Sequence, residues 1–340
     1  MGTIGGMSRA AWKELEAPDP TLEAEVRRRL DEVEDALGRA VESDVSLVSD
    51  AGGYLLAAGG KRFRPLLVLL GGRFGDPRDG RLIPGAVAIE LTHLATLYHD
   101  DVIDEADSRR GIPSVNARWD NTVAILTGDF LFARASEISS DLGTDVTRLL
   151  AWTIARVCEG QIREAQALGR LENDETFYMD VIRRKTAALI ATSCRLGGML
   201  SGAAPDVVDR LQRYGEALGM AFQLSDDIMD ITADQPTLGK EPGVDLREGV
   251  YTLPVIFALR QSSRREELRA LLQQGAPEGD RLRGALQIIR DDGALDPARQ
   301  AVSREVRKAL NEAEDLPPGV ARDALIHLAR FLAVRCGAAP

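Results

Sequence analysis

Two short stretches carry most of the chemistry this chain could do. LYHDDVIDEADSRRG, residues 97–111, crowds Asp100, Asp101, Asp104 and Glu105 into six positions and then reverses charge at Arg109 and Arg110. GMAFQLSDDIMD, residues 219–230, repeats the acidic pattern with Asp226, Asp227 and Asp230. Helical residues at i, i+3 and i+4 share a face, so each D-D-x-x-D gathers its carboxylates on one side. Like charges at that spacing repel, and either a raised pKa or a bound cation relieves them. A solvated acidic face is the ordinary explanation of one such run. Two runs, each ending an apolar helical segment, are hard to explain by solvation; if the two helices face one another, six carboxylates converge.

The residue types select the cation. Three histidines and three scattered cysteines give no zinc spacing, and D-x-D-x-D-G of a calcium loop is absent. Carboxylates on rigid helices that leave room for water suit Mg²⁺ bridging to substrate phosphates. Basic groups stand nearby in the chain: Arg109 and Arg110 follow the first cluster and Lys240 the second. GGKRFRP, residues 59–65, offers Lys61 and Arg64 to a second phosphate group, although the same letters also read as a helix start with Pro65 in its first turn. It is not a Walker A loop, because GxxxxGK[ST] is missing and no strand precedes it. Lysine occurs only at positions 13, 61, 185, 240 and 308, which gives weight to those inside GGKR, RRKT and LGKEPG.

The elements that must position these groups read as helices. Apolar residues recur at three- and four-residue steps over 21–41, 84–104, 121–140, 145–168, 175–201, 206–232, 251–272 and 320–336. Short Gly- and Pro-rich breaks at GGRFGDPRDG, SGAAPD, KEPG, QGAPEGD and LPPG separate them, and no segment alternates usefully with period two. The expectation is an all-α bundle of ten or more helices forming one domain over residues 21–340, with residues 1–20 as a loose arm. At 340 residues and 44 % apolar the chain can bury a large core, and its net charge of −11 argues against nucleic acid as a partner. No signal-peptide core or apolar run of membrane-spanning length occurs, so the expected setting is cytoplasmic, with at most peripheral membrane contact.

GGKRFRP, ELTHLATLYHDDVIDEADSRRG, RRKTAALI, GMAFQLSDDIMD and LGKEPGVDLREGVYTLP stand in an order and at separations that resemble the trans-isoprenyl diphosphate synthases of the polyprenyl synthetase family. The resemblance implies that an allylic diphosphate ionises with three Mg²⁺ (Mn²⁺ as a stand-in), and that isopentenyl diphosphate attacks the carbocation and loses a proton. Carried over by position, it implies Asp100, Asp104 and Asp226 as metal ligands, supported by Asp101, Asp227 and Asp230. It assigns Arg109, Lys185 and Lys240 to the allylic diphosphate, and Lys61, Arg64, His93 and Arg110 to isopentenyl diphosphate. Thr186 and Gln223 would present oxygens to the cation. One departure is Val250 in DLREGVYTLP, where many relatives have lysine.

Family logic places the control of product length just before the first cluster, at Ala95 and Thr96, where an aromatic side chain closes the tunnel of short-chain relatives. Small residues there imply a product of C20 or longer, a long-chain polyprenyl diphosphate for quinone side chains, with a deeper floor that Phe130 and Phe132 could form. Farnesyl or geranylgeranyl diphosphate synthesis is the nearest alternative. A class I terpene cyclase would replace the second cluster with an N-D-x-x-S-x-x-x-E pattern, and a silent subunit would lose aspartates; neither pattern is here. A homodimer also follows from the resemblance.

Overall fold

The computed structural model describes residues 19–172, 174–232 and 242–340. The chain is all-α, apart from one two-stranded hairpin among the described residues. In chain order the elements are α1 (Pro20–Ala40), α2 (Ser46–Ala57), α3 (Phe63–Gly71), α4 (Leu82–Ile103), β1 (Ser108–Arg109), β2 (Ile112–Pro113), α5 (Val115–Arg118), α6 (Asn121–Leu142) and α7 (Thr144–Ala167). They continue with α8 (Glu175–Ile182), a π-helical turn (Arg183–Ala187), α9 (Ala188–Ser201), α10 (Pro205–Thr232), α11 (Val244–Arg247), α12 (Leu253–Gln261), α13 (Arg265–Leu272), α14 (Gly279–Asp291), α15 (Leu295–Glu314) and α16 (Val320–Arg335). Most of the lone arm expected at 1–20 lies outside the described residues, as does Lys240.

The described residues form two compact units. The first comprises residues 19–154, 192–212 and 315–327. Its α1 starts where Asp19 accepts the Leu22 amide at 2.8 Å, with Pro20 at the first helical position. Leu22, Val26, Leu30, Val33 and Leu37 then make one buried stripe. Helix α4 is different: most of its residues from Gly85 to Ala95 are buried, so it is a central helix with α6 packed most extensively against it. Tyr98 ties it to α2 by donating to the Ala51 carbonyl at 2.6 Å. Helices α3 and α9 cross where glycine is required, since a Cβ on Gly197 would stand 2.1 Å from the Val68 carbonyl oxygen and one on Gly71 2.6 Å from that of Cys194.

The second unit comprises residues 155–172, 174–191, 213–232, 242–314 and 328–340. Its α14 and α15 are amphipathic and bury Leu282, Ala285, Leu286 and Ile289, and Ala298, Val302, Val306 and Ala309. Two sequence expectations change here. The segment 251–272 is two helices, because Ser262 turns extended (ψ 143°) and its hydroxyl takes the Arg264 amide at 2.9 Å. The segment 175–201 is helical throughout but widens into a π turn at Arg183–Ala187, which periodicity alone does not mark.

Candidate active site

Within the first unit, α4 runs out at its first aspartate cluster. Asp104 is the exposed C-cap, its amide bonded to the Asp100 carbonyl at 2.8 Å, and Asp100 is half-buried one turn earlier. Asp101 faces inward and is fully buried. One of its oxygens accepts from Arg109 at 2.6 Å, while the other is buried with no hydrogen-bond partner. Burial pushes the Asp101 carboxyl up, and the Arg109 charge pulls against it. The charge reversal that follows is a tight hairpin: Ser108 pairs with Pro113 and Arg109 with Ile112, with Arg110 (φ 54°) and Gly111 (φ 77°) at the turn. Two positive φ values in a two-residue loop match the twist of the strands, and the non-glycine one costs about 1–2 kcal/mol. That turn sends the Arg110 guanidinium to the carbonyls of Leu55, at 2.9 Å, and Gly59.

Arg110 thereby joins the GGKRFRP residues. Lys61 is exposed, and Arg62 begins the next helix with φ 47° and is 2 % exposed. The Arg62 guanidinium donates to Glu34 at 3.0 Å and to Glu90 at 3.1 Å. This buried partner pair was not singled out from the sequence, although Glu90 is the lone acid in the apolar run of α4. With Arg62 neutralised, Arg64 and Arg110 leave positive charge in surplus around His93. The Arg64 Nε is buried without a hydrogen-bond partner, and burial, with Arg110 nearby, brings its pKa down to about 10. Burial and the four arginines 64, 110, 62 and 109 hold the His93 imidazole well below its ordinary pKa, hence neutral. A buried guanidinium Nε with no hydrogen-bond partner, beside a neutral imidazole, is a site that an anion would complete. A Cβ on Gly60 would stand 2.6 Å from the Arg62 guanidinium and displace it, and Gly59 takes φ 85°.

The second unit holds the second cluster, in α10. Asp226 is half-exposed and paired with Arg335 of α16, which also donates to Ser225 at 2.6 Å. Asp227 is buried, accepting from the Gln223 amide at 2.9 Å and from the Tyr178 hydroxyl. Burial raises its pKa to about 7, against the pull of those two donors. Asp230 is buried and accepts the amides of Val244 and Asp245 at 3.3 Å each, capping α11 from a distance. The π turn brings Lys185 and Thr186 to the same region: Thr186 donates to the Gln223 carbonyl at 2.9 Å, and Lys185 pairs with Glu164. Two glycines clamp the turn, since a Cβ on Gly160 would lie 2.6 Å from the Lys185 amide nitrogen and one on Gly219 2.6 Å from the Ala187 Cα. Val250 lines a cavity of about 30 Å³ with Glu164, Ala167, Leu168, Phe177, Tyr178, Val181 and Tyr251. Tyr178, Glu164 and Arg335 had no sequence signal, because each meets its partner only through tertiary packing.

The residues expected to set product length fall on α4. Ala95 is completely buried, while Thr96 is half-buried with its hydroxyl on the His93 carbonyl at 2.7 Å. Phe132 lies 5.6 Å from the ring of His99, and Phe130 stacks under Arg134.

Among the described residues no three Asp, Glu, His or Cys side chains group closely enough to enclose a metal by themselves. Mg²⁺ takes one or two carboxylates and completes its shell with waters and substrate phosphates. The half-buried Asp100, exposed Asp104 and half-exposed Asp226 are accessible oxygen donors of this kind.

The family model for polyprenyl synthetase matches residues 45–289. Nonaprenyl diphosphate synthase of Mycobacterium tuberculosis is 42 % identical over 323 residues, 94 % of this chain and 96 % of the relative. Heptaprenyl diphosphate synthase component 2 of Geobacillus stearothermophilus is 42 % identical over 306 residues, covering 89 % and 94 %. Among solved structures, geranylgeranyl pyrophosphate synthase of Corynebacterium glutamicum, complexed with calcium and isoprenyl diphosphate, superposes with a TM-score of 0.83 at 42 % identity over 94 % of this chain and 98 % of that one. The chain belongs to the polyprenyl synthetase family and has the all-α fold of isoprenyl diphosphate synthases. It is a transferase, a prenyl diphosphate synthase, of a family that works with a divalent metal.

Proposed function

We propose that this enzyme condenses isopentenyl diphosphate with an allylic diphosphate to make a long all-trans polyprenyl diphosphate, in the cytoplasm. The observation that carries this reading is that both aspartate clusters are complete and each keeps an accessible carboxylate, Asp100 and Asp104 in one and Asp226 in the other. Those three would hold Mg²⁺, three ions in all, with Asp101, Asp227 and Asp230 fixing the surroundings. Bound there, Mg²⁺ would supply positive charge to the departing diphosphate.

The chain's own residues do the rest. Arg109, Lys185 and Lys240 hold the allylic diphosphate, Lys185 exchanging its Glu164 partner for phosphate. Lys61, Arg64, His93 and Arg110 hold isopentenyl diphosphate, for which the unpartnered Arg64 Nε is the structural support. The allylic C–O bond breaks, the isopentenyl double bond forms the new C–C bond at the resulting cation, and the departing diphosphate takes the proton. Thr186 and Gln223 turn oxygens toward the cation, and apolar walls exclude water that would quench it. Small side chains at Ala95 and Thr96 leave room for the growing chain, which favours a long product over geranylgeranyl diphosphate.

Incubation with Mg²⁺, labelled isopentenyl diphosphate and C5, C10, C15 or C20 primers, followed by sizing of the dephosphorylated products, tests this directly. Products beyond C20 are expected, and no incorporation with any primer sinks the synthase reading. The exposed Ile125 and Leu126 of α6 and Trp152 of α7 support a homodimer. Light scattering should give twice the chain mass; a monomer that pairs only with a different chain, as the word "component" in the Geobacillus relative's name suggests for that protein, would replace it.

A further inference from the structure

We propose that Tyr178 is a positioning residue that acts through Asp227 and Gln223 to aim the oxygens of Gln223 and Thr186 at the substrate. This rests on the reading above, in which those oxygens meet the allylic cation.

Four side chains from three elements form one relay. Tyr178 of α8 donates to one oxygen of Asp227, Gln223 donates to the other at 2.9 Å, and Thr186 of the π turn donates to the Gln223 carbonyl at 2.9 Å. The chemistry of each link sets its direction. Asp227 accepts at both oxygens, from the Tyr178 hydroxyl and the Gln223 NH₂, which leaves the Gln223 amide oxygen on the other side for Thr186. A glutamine amide has nearly the same shape either way round. Nothing in its own structure prevents a half-turn, so Asp227 decides which end faces the Thr186 side.

Asp227 can do that only while its own orientation is fixed. It is 1 % exposed, so no solvent holds its second oxygen; the Tyr178 hydroxyl does. Without that hydroxyl a buried oxygen loses its donor and the carboxylate gains by rotating to compete for the Gln223 amide. The backbone offers no other adjustment, because Gly160 and Gly219 hold the π turn against α7 and α10 with no space for even a methyl group. Disorder introduced at Tyr178 therefore appears at the side chains of Gln223 and Thr186. A turned Gln223 would offer its NH₂, the positive end of the amide dipole, to a developing cation. That opposes ionisation without touching either diphosphate.

Tyr178→Phe removes one oxygen and keeps the ring, which lines a small cavity with Glu164, Phe177, Val181 and Val250. Loss of a hydrogen-bonded partner behind a functional side chain typically costs roughly 10–100-fold. The expected result is kcat down by about that factor, with KM for isopentenyl diphosphate within about two-fold because other residues hold that substrate. In the Gln223→Ala background the same change should add less than about three-fold, because the link it works through is gone. A kcat within two-fold of the parent, or a loss that multiplies in full with Gln223→Ala, overturns the proposal. A fall in Tm with unchanged kcat marks Tyr178 as structural only and also overturns it. The Gln223 side-chain amide resonances, identified by their absence in Gln223→Ala, give a readout that needs no turnover. They should shift and lose protection in Tyr178→Phe, and unchanged resonances count against the relay even if the parent protein joined no substrates, which would be the failure of the synthase reading instead.

Discussion

The two D-D-x-x-D clusters share three aspartates in the same places and are built to different ends. The first sits where α4 stops, so its last member, Asp104, is exposed and caps the helix terminus. The second lies inside α10, two residues short of the helix end, and its last member, Asp230, is 4 % exposed and committed to the amides that start α11. The middle aspartates differ too: Asp101 answers to an arginine eight residues along the chain, Asp227 to a tyrosine from another helix. A motif repeated in sequence is thus not one device used twice. Burial decides which carboxylates can reach a ligand and which hold the framework.

Removing the divalent cation should have the largest effect, since the proposed reaction uses it at both clusters: chelation should take incorporation to background, and added Mg²⁺ should restore it. Surviving activity in chelator would break the shared premise of the comparison. Next, Asp104→Ala should lower kcat by about 10²–10³-fold. Its thermal midpoint should move by under about 2 °C, because an exposed side chain contributes little to stability. Asp230→Ala should show the opposite balance, losing about 1 kcal/mol with the α11 cap and some 2–4 °C in Tm, with a smaller loss of kcat. Calorimetry and steady-state rates on the two variants check this, and an exchange of their phenotypes would refute the division of labour.

The smallest expected change in total turnover, but the most telling for specificity, concerns the alanine five residues before each cluster. Ala95 and Ala221 are both completely buried. Ala95→Phe should shorten the products, seen by chromatography, at about 1–3 kcal/mol of overpacking. Ala221→Phe should cost similar stability and leave product length alone. Equal shortening by both would show that the position is not particular to α4.

Much of the fold was legible because helical periodicity is a local property. Six of the long segments expected from apolar spacing are helical close to their anticipated limits, and α1 begins where Asp19 and Pro20 provide a cap and a first turn. The misses have local causes of a subtler kind. The Ser262 break depends on a side chain competing for a backbone amide, and the Arg110–Gly111 hairpin on two left-handed residues rather than on alternation. Helices α14 and α15 are amphipathic but were not singled out.

The candidate site was legible as a set of residue types. Two acidic triplets, a run of basic residues and scarce, well-placed lysines are enough to imply a hard metal and phosphate, because those preferences belong to functional groups and not to their arrangement. What each group faces was decided only on folding. Arg62 rather than Lys61 is buried, with Glu34 and Glu90 brought to it from two other helices. Asp227 meets Tyr178, Asp226 meets Arg335, and Lys185 meets Glu164 across separations that no window of sequence spans. Desolvation and hydrogen-bond geometry act over a few ångströms in space, and the chain alone does not say which of its carboxylates will be left without water.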